Sequence, residues 1–122
     1  LLIKRNADPD VKTAKGDTPL MVACIKGYAP CVRVLIKAKA DLNAQNNLGV
    51  TALMMVCLDN HLRCIDLLLA EKSYNNMYRV DLDLEDNRGA TALITACIEG
   101  HAECVQKLAE ALLDGRMRHR RT

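Results

Sequence analysis

The 122-residue sequence predicts an all-α fold, a solenoid of stacked helix-turn-helix units with projecting β-turns. Half of the residues are apolar, yet Trp and Phe are absent and Tyr occurs only three times. Closely stacked helices suit such an interior, because Ala and unbranched side chains favour helices, whereas half-buried strands usually carry aromatic and β-branched residues. The other two observations are an internal repeat and a regular placement of residues that begin and end helices.

The repeat is visible when the chain is compared with itself. Three blocks match, 33 and 40 residues apart: GDTPLMVACIKGYAPCVRVLI from Gly16, GVTALMMVCLDNHLRCIDLLL from Gly49 and GATALITACIEGHAECVQKLA from Gly89. LIKRNAD at Leu2 recurs as LIKAKAD at Leu35, so residues 1–8 are predicted to end a preceding repeat. We interpret 1–122 as a single domain and a fragment of a longer array, with repeats at 9–41, 42–81 and 82–115 and a basic tail at 116–122.

Each block carries signals for two antiparallel helices. A threonine whose hydroxyl can cap the first turn starts the first helix, at Thr18, Thr51 and Thr91. Residues tolerant of the left-handed conformation end it, at Gly27, Asn60 and Gly100. The second helix carries apolar residues at a spacing that predicts a buried face. In the first two blocks these residues are Cys31, Val32, Val34, Leu35 and Ile36, and Cys64, Ile65, Leu67, Leu68 and Leu69.

These blocks resemble ankyrin repeats, whose pattern runs G-x-T-P-L-H-x-A-A, then G-H-x-x-x-V-x-x-L-L, then G-A-D-V-N-A. TPL or TAL, the pair GY, NH or GH, and the NAD, KAD or VDLD segment all fall in one register over nearly the whole chain. The family's His is replaced by Met21, Met54 and Ile94, which removes its hydrogen bond between turns, and the usual Gly after the second helix is Lys39 in one unit. We expect both departures to lower stability without changing the fold.

Composition excludes several functional classes. No run approaches the ~20 apolar residues of a membrane-spanning helix, and no signal peptide is visible, so we expect a soluble protein without a membrane partner. Of 17 basic residues, four lie in the final seven positions, which leaves 13 against 15 acidic residues in the rest of the chain. A nucleic-acid partner is therefore unexpected, except through the tail Arg116–Arg121, which is interpreted as a solvated helix end or as a nuclear-import or polyanion-binding segment.

Six cysteines occupy two repeat positions, with Cys24, Cys57 and Cys97 at one and Cys31, Cys64 and Cys104 at the other. We predict them to be core residues in a reducing compartment, cytoplasmic or nuclear; redox sensitivity and metal binding are the alternatives. His61 and His101 resemble the family's structural histidine. No nucleophile has a triad pattern distinct from the repeat, and no phosphate-binding glycine loop is present, so the chain is predicted not to be an enzyme and to need no cofactor, metal or small-molecule substrate.

The family resemblance implies a concave binding surface made of turns and first helices. The partner-binding candidates at its variable positions are Lys12, Lys15, Asp17, Ile25, Lys26, Gln45, Asn47, Leu48, Val50, Leu58, Asp59, Glu85, Asn87, Arg88, Ile98 and Glu99. Ile25, Leu58 and Ile98 share one repeat position and form either an apolar binding stripe or partial core. Their polar neighbours change from basic in the first unit to acidic in the last, which is either a device for orienting a peptide or chance on a solvated face.

Two further sites are predicted. The second repeat carries seven extra residues, 73–79, in which Tyr74 and Tyr78 either contact a partner or fold back onto the solenoid. Asn43 resembles the ankyrin context for asparagine β-hydroxylation, with Leu35 eight residues and Asp41 two residues before it.

The predicted function is a protein-protein interaction module that binds a peptide or a folded domain in its groove. The alternative is a structural or regulatory segment of a larger enzyme, channel or transcription regulator; nucleic-acid contact through the tail is a weaker third.

Overall fold

The computed structural model describes residues 8–73 and 78–114. The helices in these ranges are α1 (Pro19–Lys26), α2 (Ala29–Lys37), α3 (Ala52–Leu58), α4 (Leu62–Ala70), α5 (Ala92–Glu99) and α6 (Ala102–Leu113). They form three antiparallel pairs; α1, α3 and α5 stack in one layer, and α2, α4 and α6 stack in the other. This arrangement confirms the predicted all-α solenoid. None of these helices has the length and apolar character that a membrane span requires.

The first helix of every pair begins at the predicted threonine. The hydroxyl oxygens of Thr18, Thr51 and Thr91 each accept a backbone N–H from three residues later, at 3.2 Å. These bonds satisfy amides that have no partner inside the helix. Gly27 and Gly100 follow α1 and α5 with φ of 72° and 74°, so the predicted left-handed ends are also present.

The second pair differs slightly from the other two at the end of its first helix. Helix α3 stops at Leu58, and Asn60 takes the left-handed conformation with φ of 58°. Asn tolerates this backbone better than most residues with a Cβ atom. Lys39, the predicted departure from the family's glycine, has φ of 68°. The backbone therefore keeps the family's geometry there although the side chain does not favour it.

The methionines that replace the family's histidine make a hydrogen bond that the sequence analysis did not anticipate. The sulfur of Met21 accepts the backbone N–H of Thr18 at 3.4 Å, and the sulfur of Met54 accepts that of Thr51 at 3.5 Å. Both side chains are buried and complete a capping box in which a thioether stands where Glu or Gln is usual. Ile94 has no acceptor and is 45% exposed.

The core runs between the helix layers and repeats from one unit to the next. Leu20 and Leu53, at equivalent positions of α1 and α3, are buried, and so are Val32 and Ile65 of α2 and α4. Val34, which was predicted to face the core, is 65% exposed. It lies two residues from buried Val32 and Ile36, on the outer side of α2, so that prediction was wrong.

Burial of the cysteines follows their position in the stack. The buried thiols are Cys24, Cys57, Cys64 and Cys104. Each lies between repeats, where Cys24 of α1 interacts with Cys64 of α4 and Cys57 of α3 interacts with Cys104 of α6. Burial raises the pKa of the Cys24 thiol to about 12 and the pKa of the Cys57 thiol further still. These four residues are core, as predicted.

Cys31 and Cys97 are exposed, so the prediction that they are core residues was wrong. They occupy the same repeat positions as the buried thiols, but Cys31 is on the outward side of the first repeat and Cys97 on the outward side of the third. A thiol at either position is buried only where another repeat packs against it, as the second repeat packs against Cys24.

Candidate functional site

The projecting turns are braced by one side chain at the same position of each repeat. Oγ1 of Thr13 accepts the backbone N–H groups of Lys15 and Asp17 at 3.3 and 3.2 Å. Asn46 and Asp86 repeat the arrangement, each with Oδ1 accepting two amides at 2.9–3.0 Å. Such bonds let a polar side chain fix the shape of a turn. Each turn is therefore stabilised by hydrogen bonds within it, in addition to its contacts with the neighbouring turns.

The charge on Asp86 is stabilised inside its turn. Its side chain is only 4% exposed, and its Oδ2 lies 3.1 Å from Nη2 of Arg88. The backbone N–H of Ala90 holds the pKa of the Asp86 carboxyl below its usual value, with further lowering by Arg88. Arg88, a predicted binding residue, thus pairs with its own turn while its side chain stays 78% exposed.

Successive turns are joined by a ladder of hydrogen bonds. The backbone N–H of Asn47 donates to the Lys15 carbonyl at 3.0 Å, and that of Asn87 donates to the Leu48 carbonyl at 2.9 Å. The Asn47 side-chain amide donates to the Ala14 carbonyl, and the Asn87 amide donates to the Asn47 carbonyl, both at 3.0 Å. These two asparagines, predicted as partner contacts, use their amides to hold the array together.

The ladder also requires glycine at the turns. At Gly16, whose φ is 84°, a Cβ atom would lie 2.6 Å from Oδ1 of Asn47, and at Gly49, with φ of 78°, it would lie 2.7 Å from Oδ1 of Asn87. The next turn therefore packs directly on the backbone of the previous one. This close stacking makes the row of turns a rigid wall of the predicted groove.

The predicted apolar stripe lies at the ends of the first helices. Ile25 is 37% exposed, Leu58 is half-buried and Ile98 is 67% exposed. Nε2 of His61 lies 3.2 Å from the Ile25 carbonyl, and Nε2 of His101 lies 3.0 Å from the Leu58 carbonyl. Because a carbonyl oxygen only accepts, each ring donates there, so both histidines have the structural role that the family resemblance implied.

Leu48 and Val50 stand on the second turn. Leu48 is 67% exposed and Val50 is half-buried. Leu48 separates two notches between successive turns, with volumes of about 350 and 260 Å³. Lys15 lines the first notch and Arg88 lines the second. Lys15, Leu48 and Arg88 occupy the same repeat position. The tips of the first, second and third turns therefore carry a basic, an apolar and a basic side chain.

Two rows of polar residues run along the groove. The first is formed by Lys12, Gln45 and Glu85, and direct contacts fix its order: Nζ of Lys12 donates to the Gln45 carbonyl at 3.2 Å, and Nε2 of Gln45 donates to the Glu85 carbonyl at 2.9 Å. The second row contains Lys26, Asp59 and Glu99, which are exposed at the ends of α1, α3 and α5. Both rows change from basic in the first repeat to acidic in the third.

Asp17 and Asp59, two further predicted contacts, have partners inside the array. Oδ1 of Asp17 accepts from the Asn46 amide at 2.9 Å, which links the first turn to the second. Oδ2 of Asp59, whose side chain is 58% exposed, lies 4.0 Å from Nε2 of His61. Asp17 therefore belongs mainly to the turn ladder, whereas Asp59 remains largely open to the groove.

The second predicted contact site, in the insertion, is only partly described. Tyr74 lies outside the described residues. Tyr78 pairs with Lys72 in an isolated antiparallel bridge, packs against the core and donates its hydroxyl to Oδ2 of Asp114 at 2.8 Å. Nζ of Lys72 lies 4.6 Å from the centre of its ring. Tyr78 therefore folds back onto the solenoid, which was the predicted alternative to a partner contact.

Asn43 links the start of the second repeat to its end, across the insertion. Its Nδ2 donates to the Arg79 carbonyl at 3.0 Å, and its Oδ1 accepts the backbone N–H of Asp81 at 2.6 Å. The equivalent Asp10 accepts the backbone N–H of Asp41 at 2.8 Å. Asn43 therefore has a structural role, which the sequence analysis missed because it depends on a segment about forty residues away.

One concavity had no counterpart in the sequence analysis. It has a volume of about 460 Å³ on the outward side of the first repeat and is lined mainly by apolar side chains, among them Val11, Val22, Tyr28, Cys31 and Leu35. Tyr28 occupies the repeat position of His61 and His101. This difference is the sequence signal that the first repeat has a different surface there. Within residues 8–73 and 78–114, no three His, Cys, Asp or Glu side chains gather as a metal site would require.

Comparison with known families agrees with this architecture. A model of ankyrin repeats in three copies matches residues 1–79, and a model of a single ankyrin repeat matches residues 88–115. The chain belongs to the ankyrin-repeat family. No curated protein matches it. Ankyrin repeats are generally protein-protein interaction modules and are typically not catalytic.

Proposed function

We propose that this chain binds an extended segment of a protein partner in the groove between its turns and first helices. The observation that carries the proposal is the row of Ile25, Leu58 and Ile98, which is exposed or half-buried at the ends of the first helices. Large apolar side chains exposed in a continuous concave row are typical of an interface, whereas single exposed apolar residues are common on any surface. Burying this row would supply affinity without any cofactor or chemical step.

The rigidity of the wall supports the same function. Bonds at 2.9–3.0 Å join successive turns, and glycine at Gly16 and Gly49 lets them pack in contact. A surface that is already ordered loses little conformational entropy when a partner binds, so more of the contact energy appears as affinity. The groove thus supports binding rather than catalysis, and we propose that the chain has no enzymatic activity of its own.

A pair of matched variants tests this function. Ile25→Gln combined with Ile98→Gln removes apolar surface from the groove. Val34→Gln removes from α2 a side chain that is about as exposed as Ile98. Partners captured from cell lysate by the unmodified chain should be lost with the double variant and kept with Val34→Gln. Circular dichroism should show the same helix content and melting for all three chains. Equal capture by both variants would contradict the groove as the binding site.

Exposed apolar surface outside the groove favours a second candidate, in which the chain is a structural or regulatory segment of a larger protein. Cys31 lines the apolar concavity of the first repeat, and Ile94 and Cys97 are exposed on the third repeat. If this candidate is right, both thiols should be protected from alkylation in a longer protein that contains this chain. Rapid alkylation of both in that protein would exclude it.

We also propose Asn43 as a candidate for β-hydroxylation, on its sequence context alone. It is half-buried and shares its amide between Arg79 and Asp81, so a hydroxylase must first release two hydrogen bonds. Peptide mass spectrometry after expression with an asparagine hydroxylase should show the gain of one oxygen atom on the Asn43 peptide. An unmodified peptide would remove the proposal. Predictions for the tail Arg116–Arg121, which lies outside the described residues, and for a cytoplasmic or nuclear location remain untested.

A further inference from the structure

Charge changes in the same order along two rows of repeat positions, one on the turns and one at the ends of the first helices. Lys12, Gln45 and Glu85 run along the turn side, and Lys26, Asp59 and Glu99 run along the helix ends. The two rows occupy unrelated repeat positions, one in the turn and one at the end of the first helix. Their agreement gives the first repeat a basic rim and the third repeat an acidic rim.

The side chains that set this order are exposed. Lys12, Lys26, Glu85 and Glu99 are all exposed, and Lys15 adds a further exposed cation on the first turn. In the third repeat Arg88 is paired with Asp86 at 3.1 Å, so that pair contributes little net charge to the rim. Asp17 on the first turn offsets one of the charges of Lys12, Lys15 and Lys26. The difference in charge between the two ends of the groove is therefore reduced, but not cancelled, by neighbours within the described turns.

We infer that the groove selects an extended peptide segment that is acidic at one end, apolar in the middle and basic at the other, with its acidic end on the first repeat. This inference rests on the proposed function, because it names the ligand of the same groove. Complementary charges at the two rims would orient the segment, and the reversed placement would set like charges against each other at both ends.

The dimensions fix the length of such a segment. Packed helices lie roughly 8–10 Å apart, so the rims of the first and third repeats are separated by about 16–20 Å. An extended chain advances about 3.3 Å per residue, so five or six residues connect the rims. Alternate side chains of the segment would then point towards the apolar row. The matching ligand has two acidic residues, about four alternating Leu and Ala residues, and two basic residues.

A synthetic peptide with this order, two Glu, alternating Leu and Ala, then two Lys, tests the inference when both ends are chemically blocked. A nitroxide attached to its acidic end should broaden the backbone amide signals of Lys12 and Lys26 more than those of Glu85 and Glu99. A nitroxide at its basic end should give the opposite pattern. A control peptide has the same composition, but Glu and Lys alternate, so its two ends do not differ in charge. It should bind about tenfold more weakly than the matched peptide at low salt, and this difference in affinity should shrink at high salt.

A charge-swapped chain provides the decisive control. Lys12→Glu and Lys26→Glu combined with Glu85→Lys and Glu99→Lys keep the net charge and change exposed side chains. They remove one exposed hydrogen bond, from Lys12 to the Gln45 carbonyl, so the fold should remain intact by circular dichroism. The nitroxide pattern should reverse in this chain. Equal broadening at both ends, an unchanged pattern after the swap, or no binding of the matched peptide at about 1 mM would overturn the inference.

Failure of the inference can be told apart from failure of the proposed function. If Ile25→Gln with Ile98→Gln abolishes peptide binding but the orientation is random, the groove binds peptides and only the assignment of polarity is wrong. If the double variant binds the peptide as before, the groove itself is not the site. Self-association detected by sedimentation, with changes confined to the same groove signals, would assign the groove to a second copy and overturn the inference.

Discussion

The imidazole ring of His61 lies against the backbone of Gly27, in the space where any larger residue would place its Cβ atom. A Cβ atom on Gly27 would be 2.5 Å from Nδ1 of His61. At Gly100, the equivalent position of the third repeat, nothing lies within 4 Å of such an atom. The two glycines have nearly the same φ, 72° and 74°, so the pair separates the cost of the backbone conformation from the cost of the contact.

Gly27→Ala should therefore destabilise the chain more than Gly100→Ala. Both variants force alanine into the left-handed region, which costs about 1 kcal/mol. Gly27→Ala must also displace His61 and weaken its bond to the Ile25 carbonyl, which adds about 1–3 kcal/mol. Urea unfolding measures both free energies. Equal losses would show that the ring of His61 moves aside without cost.

Lys39→Gly should stabilise the chain by about 1 kcal/mol, because a side chain on a residue with φ of 68° is strained and glycine is not. Asn60→Gly is the matched control at φ of 58°. It should give no gain, because Asn tolerates this conformation and its Oδ1 accepts a hydrogen bond from the Cys104 thiol at 2.9 Å. Thermal melting compares the two, and a gain only in Asn60→Gly would contradict this account.

Asp86 should make stability depend on pH in the acid range. Its pKa is lowered in the folded chain, so the stability that it contributes is present above the ordinary carboxyl pKa of about 4 and is lost as the pH falls through the lowered value. Asp86→Asn keeps an acceptor like that of Asn46 but carries no charge. The free energy of unfolding of the unmodified chain, relative to this variant, should therefore fall between pH 5 and pH 2.

Asp86→Ala is the control for the turn itself. It leaves the backbone N–H groups of Arg88 and Ala90 without their partner and should cost about 1–3 kcal/mol at neutral pH. Asp86→Asn should cost less, because its oxygen can still accept both. A difference between the unmodified chain and Asp86→Asn that does not change with pH would show that the charge has no role.

The cysteines should separate into two kinetic classes on alkylation. Cys31 and Cys97 are exposed, so they should react rapidly with iodoacetamide because the reagent can reach them. The slow class should comprise Cys24, Cys57, Cys64 and Cys104, because burial raises the pKa of each and limits access. Peptide mass spectrometry over time gives the rate for every site. Rapid reaction of Cys24 in the folded chain would show that the interface between the first two repeats opens.

The two surfaces of the candidate groove differ in how far sequence predicted them. The rows of Ile25 and Lys26 and their equivalents were predicted from the resemblance to ankyrin repeats, and they are exposed or half-buried. The turn positions were more mixed, because Asn47 and Asn87 bond to the preceding turn while Lys15 and Leu48 remain exposed. Sequence identified the positions, but it could not show which side chains were already bonded inside the array.

The sequence by itself determined the repeat and its helical pairs. Thr18 caps a helix that Gly27 ends, and these effects act within one or two turns of chain, so local residues are sufficient to specify them. The tertiary structure decided which equivalent residues are buried, such as Cys24 against Cys97, and which side chains hold neighbouring turns. Those outcomes depend on atoms supplied by a repeat 33 or 40 residues away, as in the bonds of Asn47 and Asn87, and no local pattern contains that information.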